Sequence, residues 1–127
     1  MTDPRLDGHT VLLVEDEYLV SLVMQELLEE AGCVVVGPFA RVSEALAAAR
    51  TARVDIAVLD VNVAGEMVFP VAHLLEERGT PFLFVTGYGK AALPRDKPHW
   101  EACTKPFQPR ALLDTLARKV KQRGPAP

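Results

Sequence analysis

The sequence predicts a doubly wound α/β fold, in which a parallel sheet of five strands lies between two layers of helices. Short runs of valine, leucine and isoleucine alternate with segments whose apolar residues recur at helical spacing. The short runs show no alternation of polar and apolar residues, which is typical of parallel strands buried on both faces. Alternating strands and helices imply right-handed crossovers, so all strands end at the same edge of the sheet.

The chain has the size and composition of one globular domain. Its 127 residues are 49% hydrophobic and 24% charged, which allows one ordinary core. No apolar run approaches the about 18 residues that cross a bilayer, and residues 1–9 lack the basic and then apolar pattern of a signal peptide. We therefore expect a cytoplasmic protein with no membrane partner. Its predicted parts are a flexible leader at 1–8, a folded domain at 9–122 and a disordered tail at 123–127.

Charge, cysteines and histidines argue against several classes of function. A formal net charge of −3 gives no electrostatic reason to expect nucleic-acid binding. Cys33 and Cys103 lack the spacing of a metal or redox motif and are interpreted as buried, reduced thiols. His9, His73 and His99 have no partners at a suitable spacing, so we interpret them as surface or helix-face residues.

The first strand and the first helix follow the leader. Residues 10–14 form an apolar run that ends at the acidic residues 15–17. From residue 17 to 31 apolar side chains recur at helical spacing, and Gly32 provides a C-terminal stop.

A second strand and a second helix are predicted next. Residues 33–36 are apolar, and we expect Gly37-Pro38 to end this strand. Ser43 stands near the start of an alanine-rich helix that runs to about Arg50.

The third strand, residues 54–59, ends abruptly at a carboxylate, Asp60, and a loop at residues 62–66 follows. Pro70 is tolerated in the first turn of the third helix, and Gly79 ends that helix. The positions that mark this helix are Val71, Leu74, Leu75 and Arg78.

The last third of the chain contains the least regular segment. Residues 81–85 predict a fourth strand that ends at Thr86-Gly87. One glycine and two prolines within residues 88–99 leave room for about one or two helical turns, so the fourth helix is expected to be short or mobile. Residues 100–104 predict an abbreviated fifth strand. Pro109 then opens a last amphipathic helix, with Leu112, Leu113, Leu116 and Val120 facing the sheet.

Polar residues follow four of the five strands. Glu15 and Asp16 follow the first strand, Asp60 the third, Thr86 the fourth and Lys105 the fifth. Because these strand ends share one edge of the sheet, we expect the five side chains to converge, as ligand-binding groups do in open α/β sheets. Three carboxylates without a histidine or thiolate partner favour a hard cation, Mg²⁺ or, in its place, Mn²⁺.

This set of residues fits phosphoryl transfer to Asp60. A carboxylate is an adequate nucleophile when a metal shields its charge, and Lys105 and Thr86 can each hold a phosphoryl oxygen. Asp60 on its own is ambiguous, because Asp commonly starts turns. Each of the other residues also has an ordinary structural explanation on its own. The functional interpretation therefore depends on the expectation that all of them meet at one edge of the sheet.

Four motifs in this order resemble the receiver domain of two-component response regulators, over about residues 9 to 121. They are Glu15-Asp16-Glu17 after a strand, Val58-Leu59-Asp60 followed by Gly65, Val85-Thr86-Gly87, and Lys105-Pro106-Phe107. The resemblance implies a flavodoxin-like (βα)5 fold with strand order 2-1-3-4-5. It also implies a signalling domain rather than an enzyme.

The resemblance further assigns roles at the site. It implies that Asp60 accepts a phosphoryl group from a histidine kinase or a phosphotransfer protein. Mg²⁺ would be held by Glu15, Asp16, Asp60 and the backbone carbonyl of Asn62. A cis Lys105-Pro106 bond would aim the lysine, and only bonds that precede proline adopt cis at low cost.

Three positions depart from the usual pattern of the family. Glu15 stands where Asp is usual, Ala64 replaces a proline, and Ala102 replaces the aromatic residue that normally responds to Thr86. The missing aromatic residue and the sequence of residues 81–89 resemble the FAT GUY subgroup of stand-alone receivers, whose kinases are of the HWE or a related type. We expect signalling to proceed through ordering of residues 88–99 instead.

Two alternatives from other classes remain. A haloacid-dehalogenase-type phosphatase also has a nucleophilic Asp at a strand end, but Asn62 occupies the position of its acid and no acidic pair follows Lys105. A pseudo-receiver that binds partners without being phosphorylated is motivated by Glu15 and Ala102. With no output domain within the sequence, activation would either expose a surface to a downstream partner or pass the phosphoryl group on, and the residues do not choose between these.

Overall fold

The computed structural model describes residues 2–123 and confirms the predicted α/β fold. Its central sheet contains five parallel strands in the order β2-β1-β3-β6-β7. This is the predicted order 2-1-3-4-5, because strands β4 and β5 form a separate hairpin. The sheet strands are β1 (Thr10–Val14), β2 (Val34–Phe39), β3 (Ile56–Leu59), β6 (Phe82–Thr86) and β7 (Ala102–Thr104), and the hairpin strands are β4 (Asn62–Val63) and β5 (Glu66–Met67).

Helices cover both faces of the sheet. They are α1 (Tyr18–Glu30), α2 (Val42–Thr51), α3 (Phe69–Glu77) and α4 (Pro109–Arg123). The fourth helix was expected to be short, and its place is taken by one 3₁₀ turn, Gly89–Ala92. Within residues 2–123, no helix has the length and apolar character that crossing a membrane requires.

Two apolar cores lie on opposite sides of the sheet. In β1, Leu12 and Val14 pack in the core with α2 and α3, whereas Val11 and Leu13 pack in the core with α1 and α4. Successive strand residues point to opposite faces, and both faces are buried here. The continuous apolar runs in the sequence follow from this arrangement.

The N-terminal leader packs against the domain, in contrast to the expected flexible segment. Leu6 is fully buried in the core beside α1 and α4. The Asp3 N–H also donates to the carbonyl of Ala31 at 3.0 Å. The buried leucine and backbone hydrogen bonds such as this one hold residues 3–8 against the domain. At the other end α4 extends to Arg123, and the rest of the predicted tail, residues 124–127, lies outside the described residues.

The second strand continues through Gly37-Pro38, where the sequence analysis ended it. Its register with β1 shifts between Leu12 and Val14, which accommodates the irregular backbone. Gly37 has φ +107°, and a Cβ there would lie 2.6 Å from the carbonyl oxygen of Leu13. The strand crosses this position because glycine permits both the dihedral angle and the close approach.

The predicted loop after Asp60 is a small hairpin. Asn62 pairs with Met67 and Val63 with Glu66, with Ala64 and Gly65 as the two-residue turn. Both turn residues have positive φ, 52° and 85°, as a type I′ turn requires. The hairpin holds the chain above the end of β3, beside the predicted site.

Candidate functional site

Three carboxylates meet at the carboxyl edge of the sheet. Glu15 and Asp16 follow β1, and Asp60 follows the neighbouring strand β3. One oxygen of each residue lies within 4.8 Å of the others. The topology therefore brings together the three acids that the sequence assigned to a metal site.

Asp60 is nearly buried, and both its backbone and its side chain form hydrogen bonds. Its N–H donates to the carbonyl of Val14 at 2.9 Å, which extends the pairing of β3 with β1. Its Oδ1 accepts a hydrogen bond from the N–H of Val61 at 2.8 Å, and its Oδ2 accepts one from Lys105 Nζ at 3.2 Å. One carboxylate oxygen is thus bound by the backbone, while the other faces the lysine.

Lys105 lies among three carboxylates. Its Nζ is 2.8 Å from Glu15 Oε1, 3.1 Å from Glu17 Oε1 and 3.2 Å from Asp60 Oδ2. Burial by itself lowers the pKa of this ammonium, but the contact with Glu15 and the other negative charges outweigh burial and raise the pKa above its usual value. Lys105 therefore stays charged across the physiological pH range.

Backbone contacts determine the position of Lys105 at the edge of the sheet. The Lys105 N–H donates to the carbonyl of Thr86 at 2.9 Å, and the Lys105-Pro106 peptide bond is cis, as the resemblance implied. β6 and β7 therefore carry Thr86 and Lys105 side by side at the edge of the sheet.

Glu15 is a buried acid with one oxygen that forms an ion pair but, within residues 2–123, no hydrogen bond. Its Oε2 accepts a hydrogen bond from the N–H of Glu17 at 3.1 Å. Its Oε1 lies close to Lys105 but without hydrogen-bond geometry, and among the described residues it has no hydrogen-bond partner. Burial is the main cause that raises the pKa of Glu15 to about 7, and the Asp60 charge adds to it against the opposing effect of Lys105.

These donors fit a hard divalent cation. Glu15 Oε1 is a buried acceptor that pairs with the Lys105 charge but accepts no hydrogen bond from the described part of the chain, and buried acceptors without a hydrogen bond are rare in folded proteins. Every ligand atom in the cluster is a carboxylate oxygen, which suits Mg²⁺. Asp16 is exposed, and its Oδ2 accepts a hydrogen bond from the N–H of Ala64 at 2.9 Å. The residues present therefore fit the ion that the sequence predicts.

Asn62 stands in the hairpin beside the cluster. Its side-chain Oδ1 accepts a hydrogen bond from the N–H of Gly65 at 3.1 Å, so the side chain serves the turn. The predicted role of its backbone carbonyl toward a metal stays a prediction.

Thr86 opens onto the same cleft as Asp60 and Lys105. It is buried at the end of β6, and its Oγ1 accepts a long hydrogen bond, 3.5 Å, from the N–H of Tyr88. The cleft encloses about 640 Å³, and Asp60, Thr86 and Lys105 all line it. The hydroxyl is therefore placed to meet a group bound in this cleft.

The role of Glu17 was not predicted from the sequence. Glu17 belongs to the acidic motif but was given no role at the site, whereas in the structure its carboxylate accepts a hydrogen bond from Lys105. The run of three consecutive acids was the available signal. Residues 15–17 stand at a turn from strand to helix, so their side chains point in different directions and the sequence could not show which one reaches the lysine.

An aromatic side chain lies close to position 102. Ala102 pairs with Phe84 across β6 and β7. Trp100, two residues earlier, packs in the same core, with its ring 5.4 Å from that of Phe84 and 6.1 Å from that of Phe69. The indole Nε1 of Trp100 also donates to Glu76 Oε2 on α3 at 2.9 Å. Trp100 thus places an aromatic ring in this part of the core, whereas position 102 carries only a methyl group.

An apolar surface lies next to Lys105 on α1. Tyr18, Leu19 and Val23 have exposed fractions of 75%, 72% and 54%. A groove runs from this surface to the lysine, lined by Glu17, Leu19, Val20, Val23, Lys105, Pro106, Phe107 and Pro109. An exposed apolar patch with a polar rim is typical of a protein interaction site.

Comparisons with known proteins agree with this geometry. Residues 11–117 match the family model of the response regulator receiver domain. The solution structure of SdrG from Sphingomonas melonis Fr1 is 32% identical, with a TM-score of 0.77, and the match covers 91% of this chain and 98% of that one. The REC domain of the Erythrobacter litoralis PhyR response regulator is 24% identical, with a TM-score of 0.83, over 95% of this chain and 96% of that one. This second likeness shows the fold.

A longer relative was also found. The sensory transduction protein LytT from Bacillus cereus is 30% identical over 117 residues, which are 89% of this chain and 48% of that protein. The chain thus spans about half the length of the curated relatives it matches.

Proposed function

The chain belongs to the response regulator receiver family, and from this membership we propose that Asp60 accepts a phosphoryl group in a two-component signalling pathway. The observation that carries the proposal is the 3.2 Å contact between Lys105 Nζ and Asp60 Oδ2, beside two further carboxylates. A simple turn residue does not require a lysine and two more acids at its side chain.

The chemistry follows from the positions of the side chains. A carboxylate oxygen of Asp60 attacks the phosphorus of a phosphohistidine, a P–O bond forms, and the P–N bond breaks with its electron pair returning to the imidazole. Asp60 becomes an acyl phosphate, and its monoanion is replaced by a group of roughly −2 charge. Lys105 and the Thr86 hydroxyl each bind one phosphoryl oxygen and hold the group in the cleft.

Glu15, Asp16 and Asp60, with the carbonyl of Asn62, are the proposed holders of Mg²⁺. Bound there, the ion supplies charge neutralisation for the carboxylates and the incoming phosphoryl oxygens. The buried Oε1 of Glu15, which accepts no hydrogen bond from any described residue, supports this role. Mn²⁺ satisfies the same oxygen donors.

The apolar surface of α1 is the proposed docking site of the phosphodonor. Leu19 and Val23 are exposed beside Lys105 and Phe107, so a helix-bearing donor seated there brings its phosphohistidine to the mouth of the cleft. We propose a histidine kinase, of the HWE or a related type, or a phosphotransfer protein as this partner. The resemblance to the FAT GUY subgroup supports the kinase type, and we propose a cytoplasmic location for the protein.

The proposed output is a change in residues 88–99. This segment contains only a 3₁₀ turn, and Tyr88 within it is 82% exposed and lines the cleft. The Tyr88 N–H bonds to the Thr86 hydroxyl at 3.5 Å, so a phosphoryl group that engages Thr86 changes the environment of Tyr88 directly. The segment then presents a different surface to a downstream protein.

Intact-mass measurement after incubation with acetyl phosphate and Mg²⁺ tests this function. The wild type gains about 80 Da, and the variant Asp60→Asn does not. Exposed Asp96→Asn is the matched control and gains the same mass as the wild type. A wild type without an adduct indicates the pseudo-receiver alternative, and turnover of added phosphomonoesters indicates the phosphatase.

A further inference from the structure

Lys105 contacts one carboxylate that the proposed chemistry does not use. Its ammonium donates a hydrogen bond to Glu17 Oε1 at 3.1 Å. Asp60 Oδ2 and Glu15 Oε1 lie 3.2 Å and 2.8 Å from the same nitrogen. Carboxylate oxygens therefore surround the ammonium before any phosphoryl group arrives.

The three carboxylates differ in their access to water. The side chain of Glu17 is 62% exposed, whereas that of Glu15 is 1% exposed and that of Asp60 is 11% exposed. An exposed carboxylate that is released becomes hydrated, whereas a buried one loses a partner without compensation. Glu17 is therefore the contact that Lys105 can most easily exchange for a phosphoryl oxygen.

The start of α1 determines where Glu17 lies. Glu17 is the N-cap residue of α1, with extended backbone angles of φ −79° and ψ 112°. Its N–H donates to Glu15 Oε2 at 3.1 Å. The backbone of Glu17 is thus tied to the buried acid, while its side chain reaches the lysine from the rim of the cleft.

We propose that Glu17 is a positioning residue, which holds Lys105 in the unphosphorylated state and competes for its ammonium with the phosphoryl group on Asp60. This inference rests on the proposed function. Two effects of Glu17 act in the same direction. Its hydrogen bond to Lys105 must be given up, and its negative charge repels the charge that the phosphoryl group adds. Removing the Glu17 charge therefore strengthens the binding of a phosphoryl group.

Binding of beryllofluoride, an inert analogue of the phosphoryl group, tests this inference by NMR titration at saturating Mg²⁺. Glu17→Gln binds beryllofluoride about two- to fivefold more tightly than the wild type, the range expected for an exposed ion pair. Glu17→Asp keeps the charge but withdraws the carboxylate by one methylene, and it also binds more tightly. Glu26→Gln, an equal change of charge at an exposed position of α1, binds as the wild type does.

The lysine itself provides a second measurement, made without metal. In protein labelled with ¹⁵N at the lysine side chains, the Lys105 ammonium signal shifts and exchanges faster with water in Glu17→Gln, and it does not change in Glu26→Gln. Equal beryllofluoride affinity of the wild type and Glu17→Gln overturns the inference and leaves the role of Asp60 intact. A wild type that binds no beryllofluoride contradicts the proposed function and this inference together.

Discussion

Trp100 Nε1 donates a hydrogen bond of 2.9 Å to Glu76 Oε2 and so joins the connection between β6 and β7 to α3. The same carboxylate lies 3.0 Å from Lys97 Nζ and 2.7 Å from His99 Nε2. Lys97 and His99 belong to residues 88–99, the proposed output segment, and Trp100 follows that segment directly. Glu76 is therefore the anchor at the C-terminal end of that segment.

Substitution Glu76→Gln loosens this anchor. The contact with His99, followed by those with Trp100 and Lys97, lowers the pKa of Glu76 to about 2. Because the pKa of Glu76 in the folded state lies below its unfolded value of 4.5, the ionised carboxylate stabilises the folded state. This stabilisation is complete above pH 4.5 and is lost as the pH falls toward 2. Urea unfolding is expected to show a loss of about 1 kcal/mol at pH 7, with a smaller difference from the wild type at pH 3.

Exposed Glu77→Gln, at the next position of α3, is the control and unfolds as the wild type does. Hydrogen exchange of residues 88–99 is expected to be faster in Glu76→Gln than in this control. Equal exchange in the two variants contradicts the anchoring role of Glu76.

Glu15 gives the opposite dependence on pH in the metal-free protein. Its pKa is raised to about 7, chiefly by burial. Between pH 4.5 and 7 the folded state holds the proton and the unfolded state does not, so stability falls as the pH rises through this window. The loss is about 1 to 3 kcal/mol. Thermal unfolding in chelator measures it, and Glu15→Gln removes this part of the pH dependence.

The control for Glu15 is Glu29→Gln, which changes an exposed acid on α1 and keeps the pH dependence of the wild type. If the stabilities of the wild type and Glu15→Gln change in parallel from pH 4.5 to 7, Glu15 is already ionised in the folded state, which contradicts the prediction.

Gly37→Ala tests the path of β2. The new Cβ would lie 2.6 Å from the carbonyl oxygen of Leu13, at a φ of +107°. We expect the free energy of unfolding, measured by urea unfolding, to fall by about 2 to 4 kcal/mol, because the substitution combines dihedral strain with a steric clash. Gly8→Ala is the matched control, since Gly8 has φ +81° but no atom within 4 Å of its Cβ position. Gly8→Ala is expected to lower the free energy of unfolding by about 1 kcal/mol. Equal losses in the two variants would show that the structure relieves the clash at position 37 without a cost in stability.

The sheet and its functional edge could be predicted because they depend on patterns that are local in sequence. Each buried strand is a continuous apolar run, and the right-handed crossovers leave one arrangement in which every strand end meets the same edge. This arrangement brings together Asp60 and Lys105, which are 45 positions apart. The type of each side chain at a strand end then indicated its chemistry.

The hairpin and the Glu76 anchor could not be predicted in this way. Strands of two residues, such as Asn62–Val63, are too short to show a period. The contact of Trp100 with Glu76 depends on where the end of α3 lies relative to β7, which no local pattern specifies. The packing of the leader could not be predicted, because the burial of Leu6 depends on contacts with residues distant in sequence.

Identifying the phosphorylated residue tests the central claim most directly. Borohydride reduces an acyl phosphate to an alcohol, so a phosphorylated Asp is converted to homoserine and can be located by peptide mass spectrometry. After loading with acetyl phosphate and Mg²⁺, the account predicts homoserine at position 60, with Asp16 and Glu15 unchanged. Reduction at Asp16 or Glu15, or a borohydride-resistant phosphate on Thr86, would contradict the assignment of Asp60 as the phosphoacceptor.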